Sequence, residues 1–252
     1  MNETRFGLPV DASVDGWRVD RLMATTTVFV VIMFIATIVW ILWAWLRHGK
    51  GHAAQYDPGN ARRQALKALA LSAVIFLVVD GNLFVNGLRD LDQAFWNFGA
   101  VNANPRAVRI QINAHQWAWD ARYPGPDNRF GTADDIVTLN DIRIPVGTPV
   151  VLQLAATDVL HSFSLPNFRI KQDAVPGMIN QLWWQAKDTG VFDIVCAQHC
   201  GVNHYKMRGK LTVLPPDEFA AWAAEASALS RESYDERDRT ANWSWDWDKA
   251  RR

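Results

Sequence analysis

The sequence feature that most restricts the fold is a long run without any charged side chain, from Leu22 to Leu46. At about 1.5 Å of rise per residue, a helix of that length exceeds the roughly 30 Å hydrocarbon thickness of a bilayer. We therefore predict a transmembrane helix over residues 22–46. Because about twenty polar and charged residues precede the run and no small-residue cleavage site closes it, we expect it to be retained rather than removed as a signal peptide.

A second apolar run covers residues 68–88 and contains one ionisable side chain, Asp80. The run is long enough to form a second transmembrane helix. An ionisable group at membrane depth is costly unless it is paired or hydrated. Asp80 therefore has two interpretations. It bonds a partner subunit within the membrane, or Gly81, Asn82 and Asn86 mark an early exit of the chain into the outer interface, which is the interpretation we favour.

The charges beside these runs predict the orientation of the chain. The connecting loop, residues 47–67, carries one acid, Asp57, and an excess of basic residues, whereas the segment 1–21 mixes both signs. By the positive-inside tendency the loop is cytoplasmic, so both termini lie on the outer, periplasm-like face of what we expect to be a bacterial inner membrane. The whole chain balances 26 basic against 26 acidic residues, which excludes a nucleic-acid binder recruited by bulk charge.

Apolar and polar residues alternate from Val108 onward, in short segments separated by proline and glycine. This pattern predicts a β-sandwich over residues 100–215. A polar insert at 124–136 contains three aspartates, but their spacing fits no calcium motif, so we interpret the insert as a solvated turn. Residues 216–252 are predicted to form a short helix and a charged tail. The predicted fold class is thus a membrane-anchored all-β protein, with a two-helix transmembrane hairpin before the sandwich.

The charged tail contains three alternating tryptophans, Trp243, Trp245 and Trp247. They could form a strand that docks a partner, or an anchor at the membrane interface. A tail bound to its own domain is the third interpretation, and the sequence does not separate the three.

The metal-binding chemistry of the chain is concentrated in the stretch CAQHCGVNHYKM. It supplies two thiolates, an imidazole and a thioether, from Cys196, Cys200, His204 and Met207. These are soft ligands, which favour copper over calcium or magnesium. A single type-1 copper needs only one cysteine, whereas two thiolates can bridge two copper ions with one histidine on each. The second histidine must then come from elsewhere, and His161, at the boundary of a strand and a loop, is our candidate.

Two other interpretations of the cysteines stay open. On an oxidising face Cys196 and Cys200 could form a structural disulfide, although this leaves the nearby histidines and methionine without a role. Zinc bound by two cysteines and two histidines is the other rival, but it gives Met207 no role. Copper is the interpretation that the spacing favours.

The motif C-x-x-x-C-G-x-x-H-x-x-M, preceded by DVLHSF, by HQWAW and by two apolar runs, resembles subunit II of the haem-copper cytochrome c oxidases. In that family an outer, cupredoxin-like domain carries the dinuclear copper A centre. The resemblance implies that Cys196 and Cys200 are the bridging thiolates. It assigns the remaining ligands as two terminal imidazoles, a weak axial thioether and a backbone carbonyl, from His161, His204, Met207 and Gln198.

Three departures from the family pattern limit what can be transferred. Gln198 replaces the usual glutamate, and because a neutral amide is a poor ligand for a hard cation, a magnesium ion at the boundary with subunit I is doubtful. Trp117 matches the family tryptophan that passes electrons to the copper pair, but Ala118 replaces the aromatic residue beside it. The second helix lacks the family's glutamate and its Trp-Thr-x-x-Pro stretch, so a contribution to the proton path is not transferred.

The function that the resemblance implies is electron relay, with no catalytic residue in this chain. Cytochrome c, soluble or tethered, would dock near Trp117, and its electron would pass through the copper pair to a haem in subunit I, where oxygen is reduced to water. Asp158, Asp188 and Asp193 are candidates for an acidic docking surface, because complementary charge raises association rates. The expected partners are therefore subunit I, the other oxidase subunits, cytochrome c and the lipid bilayer.

Alternative functions remain open at this point. A nitric oxide reductase of the same superfamily can carry a copper A subunit, and the missing features of the second helix keep this alternative in view. A copper-delivery or thiol-redox membrane protein can also use two nearby cysteines and a distant histidine, but it would not need His204, Met207 and a second span together. A quinol oxidase subunit would share the fold but lose the copper ligands, all of which are present here.

Overall fold

The computed structural model describes residues 7–53, 56–235 and 237, which divide into two units. One unit is residues 18–94. The other combines residues 7–17 with the chain from residue 95 onward. The three tryptophans of the predicted C-terminal tail lie outside the described residues.

Two long helical stretches, built from the two apolar runs, make up most of the first unit. The first stretch is α1, Gly16–Arg47. The second comprises α2 (Arg62–Ile75), a π-helical turn (Phe76–Asp80), α3 (Gly81–Asp90) and a second π-helical turn (Leu91–Phe95). Both stretches are long and apolar enough to cross a membrane, and most of their large apolar side chains are exposed. Such exposure is expected where lipid, rather than protein, covers the helix.

The residues around Asp80 do not end the helix. The chain does not leave the helix at Gly81 but continues as α3 to Asp90. The side-chain amide of Asn86 donates to the backbone oxygen of Asn82 one turn earlier, at 2.9 Å, so this polar group is satisfied without breaking the helix. Both interpretations of Asp80, pairing within the membrane and an early exit into the outer interface, therefore stay predictions.

An ion-pair cluster joins the two helical stretches just beyond the predicted spans. The carboxylate of Asp90, whose side chain is only 4% exposed, lies 2.9 Å from a guanidinium nitrogen of both Arg18 and Arg21. Two cations on one nearly buried carboxylate compensate the cost of removing it from water. The cluster therefore holds the start of α1 beside the end of α3, as an antiparallel hairpin requires.

Ten strands are found in the described part of the second unit. In chain order they are β1 (Val108–His115), β2 (Ala118–Tyr123), β3 (Ile136–Leu139), β4 (Asp141–Pro145), β5 (Pro149–Ala156), β6 (His161–Leu165), β7 (Ile170–Ala174), β8 (Asn180–Gln185), β9 (Gly190–Cys196) and β10 (Arg208–Leu214). They form two five-stranded sheets, with strand orders β3-β2-β1-β5-β8 and β4-β10-β9-β6-β7. A short helix, α4 (Phe98–Asn102), precedes the sandwich, and α5 (Pro216–Ser233) follows it.

The alternating pattern of the strands produces a single apolar core. Its largest fully buried side chains include Trp119, Phe163 and Phe168. Residues of both sheets contribute to this core, as in a β-sandwich with one inward face on each sheet. The predicted fold class is therefore confirmed, from the two apolar helices through the sandwich to the short C-terminal helix.

The insert at 124–136 is a solvated turn only in its first part, where Asp127 is exposed and accepts the backbone N–H of Arg129 at 2.9 Å. Asp134 and Asp135 are only 5% and 8% exposed. The Asp134 carboxylate pairs with Arg231 of α5 at 3.1 Å, and its backbone oxygen accepts a hydrogen bond from the Ser227 hydroxyl. Because the C-terminal helix packs on Asp134, protein groups rather than water satisfy this aspartate.

The segment before α1 packs on the sandwich. Ala12 is 1% exposed; its backbone N–H donates to the Asn167 oxygen at 2.8 Å, and its oxygen accepts from the Lys187 N–H at 2.9 Å. Asp11 also pairs with the Lys187 ammonium at 2.9 Å. Residues before the first apolar helix and after the second are thus in contact, so both lie on the same side of any membrane that the helices cross. That this side is the outer one stays a prediction.

Candidate metal centre

Three neighbouring strands bring the predicted ligands to one end of the second sheet. β9 lies between β10 and β6 and ends at Cys196, while β6 begins at His161 and β10 begins directly after Met207. Two backbone hydrogen bonds fix this alignment. The Cys196 N–H donates to the Met207 oxygen at 3.2 Å, and the Ala197 N–H donates to the Ser162 oxygen at 2.9 Å. Residues that are distant in sequence therefore meet at one end of the sandwich.

The side-chain donors converge at this end. The sulfurs of Cys196 and Cys200 are 3.7 Å apart, so they are free thiols, since a disulfide bond measures about 2.05 Å. Nδ1 of His161 lies 3.2 Å from the Met207 sulfur. Nδ1 of His204 lies 3.5 Å from the Cys200 sulfur, which is itself 3.7 Å from the Met207 sulfur. The structure thus brings all five predicted side-chain ligands together.

Three of the predicted ligands form a compact group, and the others lie beside it. The ligand atoms of His161, Cys196 and Cys200 all lie within 4.8 Å of one another. His204 is not part of that group, although it lies beside Cys200. The backbone oxygen of Gln198 lies 3.2 Å from the Cys196 sulfur. A buried histidine therefore lies close to both sulfurs and to the methionine, while the second histidine lies beside Cys200 and the carbonyl beside Cys196.

The His161 side of the site is closed to solvent. His161 is 0% exposed, Met207 is 1% exposed and Cys200 is 3% exposed. The buried indole of Trp119 lies edge-on to the His161 ring, with 6.2 Å between the ring centroids. A metal ion held here would be shielded from water on this side, whereas Cys196 and His204 are only partly buried.

The two thiols differ in acidity. Burial alone would raise the pKa of Cys196, but hydrogen bonds with His161 and with the backbone of Ser162 outweigh burial and lower that pKa to about 6. Burial and the neighbouring Cys196 sulfur raise the pKa of Cys200 to about 12. One sulfur of the pair is therefore a thiolate at neutral pH, which is the form that binds metals.

Trp117, the predicted electron-entry residue, lies against the cysteine loop. Its indole N–H donates to the Cys200 backbone oxygen at 3.2 Å, and the side-chain amide of Gln116 donates to the same oxygen at 2.8 Å. Gly201 permits this close approach. Its φ is +118°, and a Cβ there would lie 2.8 Å from the Gln116 amide nitrogen and 3.2 Å from the Trp117 ring. Trp117 is thus in direct contact with a predicted ligand residue.

The structure does not bring the three predicted docking acids together. Asp188 lies in the turn that precedes β9, roughly 25 Å from the ligand end of that strand at about 3.3 Å per residue. Asp193 pairs with Arg208 at 2.8 Å. Asp158 turns towards the site, where its carboxylate lies 2.8 Å from Nε2 of His161. The three acids therefore have three different surroundings.

Sequence reasoning does not assign a role at the site to Gln116 or Trp119, and it assigns Asp158 to docking. The available signal is proximity along the chain. The HQWAW motif places both Gln116 and Trp119 within two residues of Trp117, and DVLH places Asp158 three residues before His161. Closeness along the chain does not show which side chain points into the site, so these contacts are visible only in the structure.

Fold and site together define a membrane-anchored β-sandwich protein with a cluster of soft metal ligands. The family described as "Cytochrome C oxidase subunit II, periplasmic domain" matches residues 108–212. The alternative cytochrome c oxidase subunit 2 of Bradyrhizobium diazoefficiens is 31% identical over 223 residues, which cover 79% of this chain and 76% of that protein. The chain therefore belongs to the cytochrome c oxidase subunit II family, and the resemblance seen in its motifs is confirmed.

Other similarities cover a smaller part of the chain. Cytochrome c oxidase subunit 2 of Alkalihalophilus pseudofirmus is 41% identical over 121 residues, which are 48% of this chain and 33% of that protein. The solved periplasmic domain of subunit II of cytochrome oxidase (CoxB) of Bradyrhizobium japonicum is 28% identical, with a TM-score of 0.44, over 48% of this chain and 94% of that domain. The chain thus spans about three quarters of one relative and a third of another.

The unequal acidity of the thiols can be tested in the metal-free protein. The rate of alkylation by iodoacetamide should rise as the pH increases through about 6 and then level off, because Cys196 is deprotonated above its pKa. Cys196→Ser should remove this phase and leave Cys200 reacting only at alkaline pH. Mass spectrometry of the labelled peptides identifies the modified residue. Equal labelling of both cysteines at every pH would contradict the assignment.

Proposed function

We propose that this protein is the electron-accepting subunit II of a haem-copper terminal oxidase, with a dinuclear copper A centre at the ligand cluster. Electrons would enter from cytochrome c and leave to a haem in subunit I, where oxygen is reduced to water. The observation that carries the proposal is that two thiols, two imidazoles and a thioether lie close together. They come from the ends of β6, β9 and β10 and from the loop between β9 and β10.

The donor set fits copper better than zinc. Thiolate, imidazole and thioether are the soft and borderline donors that copper sites use. A single tetrahedral zinc ion would need both cysteines and both histidines close together, since Zn–S and Zn–N bonds are about 2.3 and 2.0 Å. His204, however, lies outside the group of ligand atoms that are mutually within 4.8 Å. Met207, almost fully buried between His161 and Cys200, would also have no role at a zinc site.

The positions of the donors suggest how two ions would be held. His161 and Met207 would serve one copper, and His204 and the Gln198 carbonyl would serve the other, with both sulfurs shared. When bound, such a pair supplies one-electron chemistry in which the charge is spread over two metals and two sulfurs. The Gln198 side chain is an amide rather than the carboxylate that magnesium prefers, so no magnesium role is proposed for it.

The part played by the protein is to hold these donors still and to exclude water. Strand pairing fixes the ends that carry Cys196 and His161. Trp119 packs edge-to-face on both His161 and Phe163, with ring centroids 6.2 and 5.3 Å apart. Ligands that are locked by packing need little rearrangement when an electron arrives, and the apolar shell contributes to the reduction potential.

Trp117 is the electron-entry residue of this proposal. It contacts the Cys200 oxygen, and two large exposed side chains follow in the same loop, Val202 at 80% and Tyr205 at 72%. These groups offer an apolar surface that a haem edge can approach. The candidate docking acids would add long-range steering, although Asp193 is already held in an ion pair.

We place the protein in the bacterial inner membrane, with the sandwich on the periplasmic face. Support comes from the two apolar helices and from the contact of the N-terminal segment with the sandwich. Subunit I and the other oxidase subunits would bind the helices within the bilayer. Membership of the subunit II family supports this assembly. Purification of the complex from membranes would establish its composition.

Copper delivery is less consistent with the site than electron relay. A delivered ion has to be released, whereas His161 and Met207 are almost fully buried.

Reduction of nitric oxide instead of oxygen would depend on the partner subunit. Assaying the purified complex with each gas separates these activities, and consumption of nitric oxide without consumption of oxygen would replace the oxidase by a reductase.

The ligand assignment can be tested with two neighbouring histidines. The full chain, purified in detergent and loaded with copper, should bind two copper ions and absorb visible light. His204→Ala should lower the copper content and change the absorption, whereas the matched control His199→Ala should do neither, although the two rings are only 5.6 Å apart. Metal analysis and visible spectroscopy measure both effects. A single copper per chain, preferential binding of zinc, or equal effects of the two substitutions would contradict the assignment.

Electron entry can be tested in the assembled complex by stopped-flow reduction with cytochrome c. Trp117→Phe should slow reduction several-fold and leave the copper content unchanged, because the indole is the proposed contact between donor and metal centre. Asp193→Asn is the surface control, and its effect should vanish at ionic strengths above about 0.15 M, where the Debye length is about 8 Å. If Trp117→Phe is reduced at the wild-type rate while Asp193→Asn is reduced more slowly, electrons do not enter at Trp117.

A further inference from the structure

Asp158 stands apart from the other candidate docking acids because its carboxylate is directed into the metal centre. We infer that Asp158 is a positioning residue of this centre, which orients the ligand His161 and at the same time fixes the backbone next to Trp117. The inference rests on the proposed copper function and goes beyond it, since it gives a role to a side chain that is neither a metal ligand nor an electron-entry group.

Asp158 sets the orientation of the His161 ring. Its Nε2 lies 2.8 Å from Oδ1 of Asp158, while its Nδ1 faces the Met207 sulfur at 3.2 Å. A carboxylate can only accept at this distance, so in the neutral ring, which is the form that binds a metal, it selects the tautomer that carries the proton on Nε2. The lone pair of Nδ1 is then directed to the place where the sulfurs converge. Hydrogen bonding of the outer nitrogen to a carboxylate is the usual means of orienting a histidine ligand and raising its basicity.

The Asp158 carboxylate also accepts two backbone N–H groups. Oδ2 of Asp158 accepts the backbone N–H of Gln116 at 2.6 Å, and Oδ1 accepts the N–H of Val159 at 2.6 Å. Gln116 and its neighbour Trp117 in turn both donate to the backbone oxygen of Cys200. One carboxylate therefore connects a histidine ligand to the segment that holds the cysteine loop.

A positioning role of Asp158 can be distinguished from a docking role. The two oxygens of Asp158 already face three donors, and its side chain is only 30% exposed.

A negative charge beside His161 also stabilises the more positive, oxidised state of a metal bound there. Removal of the charge should therefore raise the reduction potential of the centre, whereas loss of a docking charge would leave that potential unchanged.

The test compares Asp158→Asn, Asp158→Ala and the exposed control Asp188→Asn in the copper-loaded full chain, without cytochrome c. Asp158→Ala should weaken copper binding by about 10- to 100-fold, the usual cost of losing an outer partner of a ligand. Asp158→Asn should keep the shape of the side chain but raise the reduction potential, measured by titration with small mediators, and alter the visible spectrum. Asp188→Asn should change none of these.

Two results would overturn the inference. If Asp158→Asn and Asp158→Ala keep the copper affinity, spectrum and potential of the wild type and only slow reduction by cytochrome c at low ionic strength, Asp158 is a docking acid. If the wild-type chain itself binds no copper pair, the proposed function fails and the inference fails with it. Asp158→Asn alone decides the matter if Asp158→Ala does not fold, as judged by circular dichroism.

Discussion

The pairing of β9 with β6 and β10 is the constraint on which the metal centre depends. Each of the three strands has a ligand at its end or one residue beyond it, and the backbone hydrogen bond between Cys196 and Met207 belongs both to the sheet and to the site. Successive residues of a strand face opposite sides, so a slip of one residue would turn a ligand away from the others. The stability of the sandwich and the geometry of the ligands are therefore secured by the same contacts.

The second sheet does not build the site alone. The turn between β1 and β2 carries Gln116 and Trp117, which both bond to the Cys200 carbonyl from the first sheet. Asp158, in the connection from β5 to β6, bonds to the same turn and to a ligand. Both layers of the sandwich thus meet at the ligand cluster, and the electron-entry residue and the ligands share one hydrogen-bonded framework.

Local spacing explains why much of this could be predicted from the sequence. The cysteines, His204 and Met207 lie in one short stretch, so their convergence follows from chain geometry, and the alternating strands and apolar runs are equally local signals. The remaining features depend on contacts between distant residues. An aspartate bonded to a ligand and an aspartate on the surface look alike in sequence, so the contact between Asp158 and His161 is visible only in the structure. Asp134 is buried because α5 packs on it: its backbone oxygen accepts the hydroxyl of Ser227, which lies 93 residues further along the chain.

The central claim is that two metal ions share both cysteine sulfurs, and electron spin resonance of the copper-loaded, one-electron-oxidised protein tests it most directly. We expect the hyperfine pattern of one unpaired electron divided equally between two copper nuclei. The pattern of a single copper nucleus, with one ion bound to one cysteine, would contradict it.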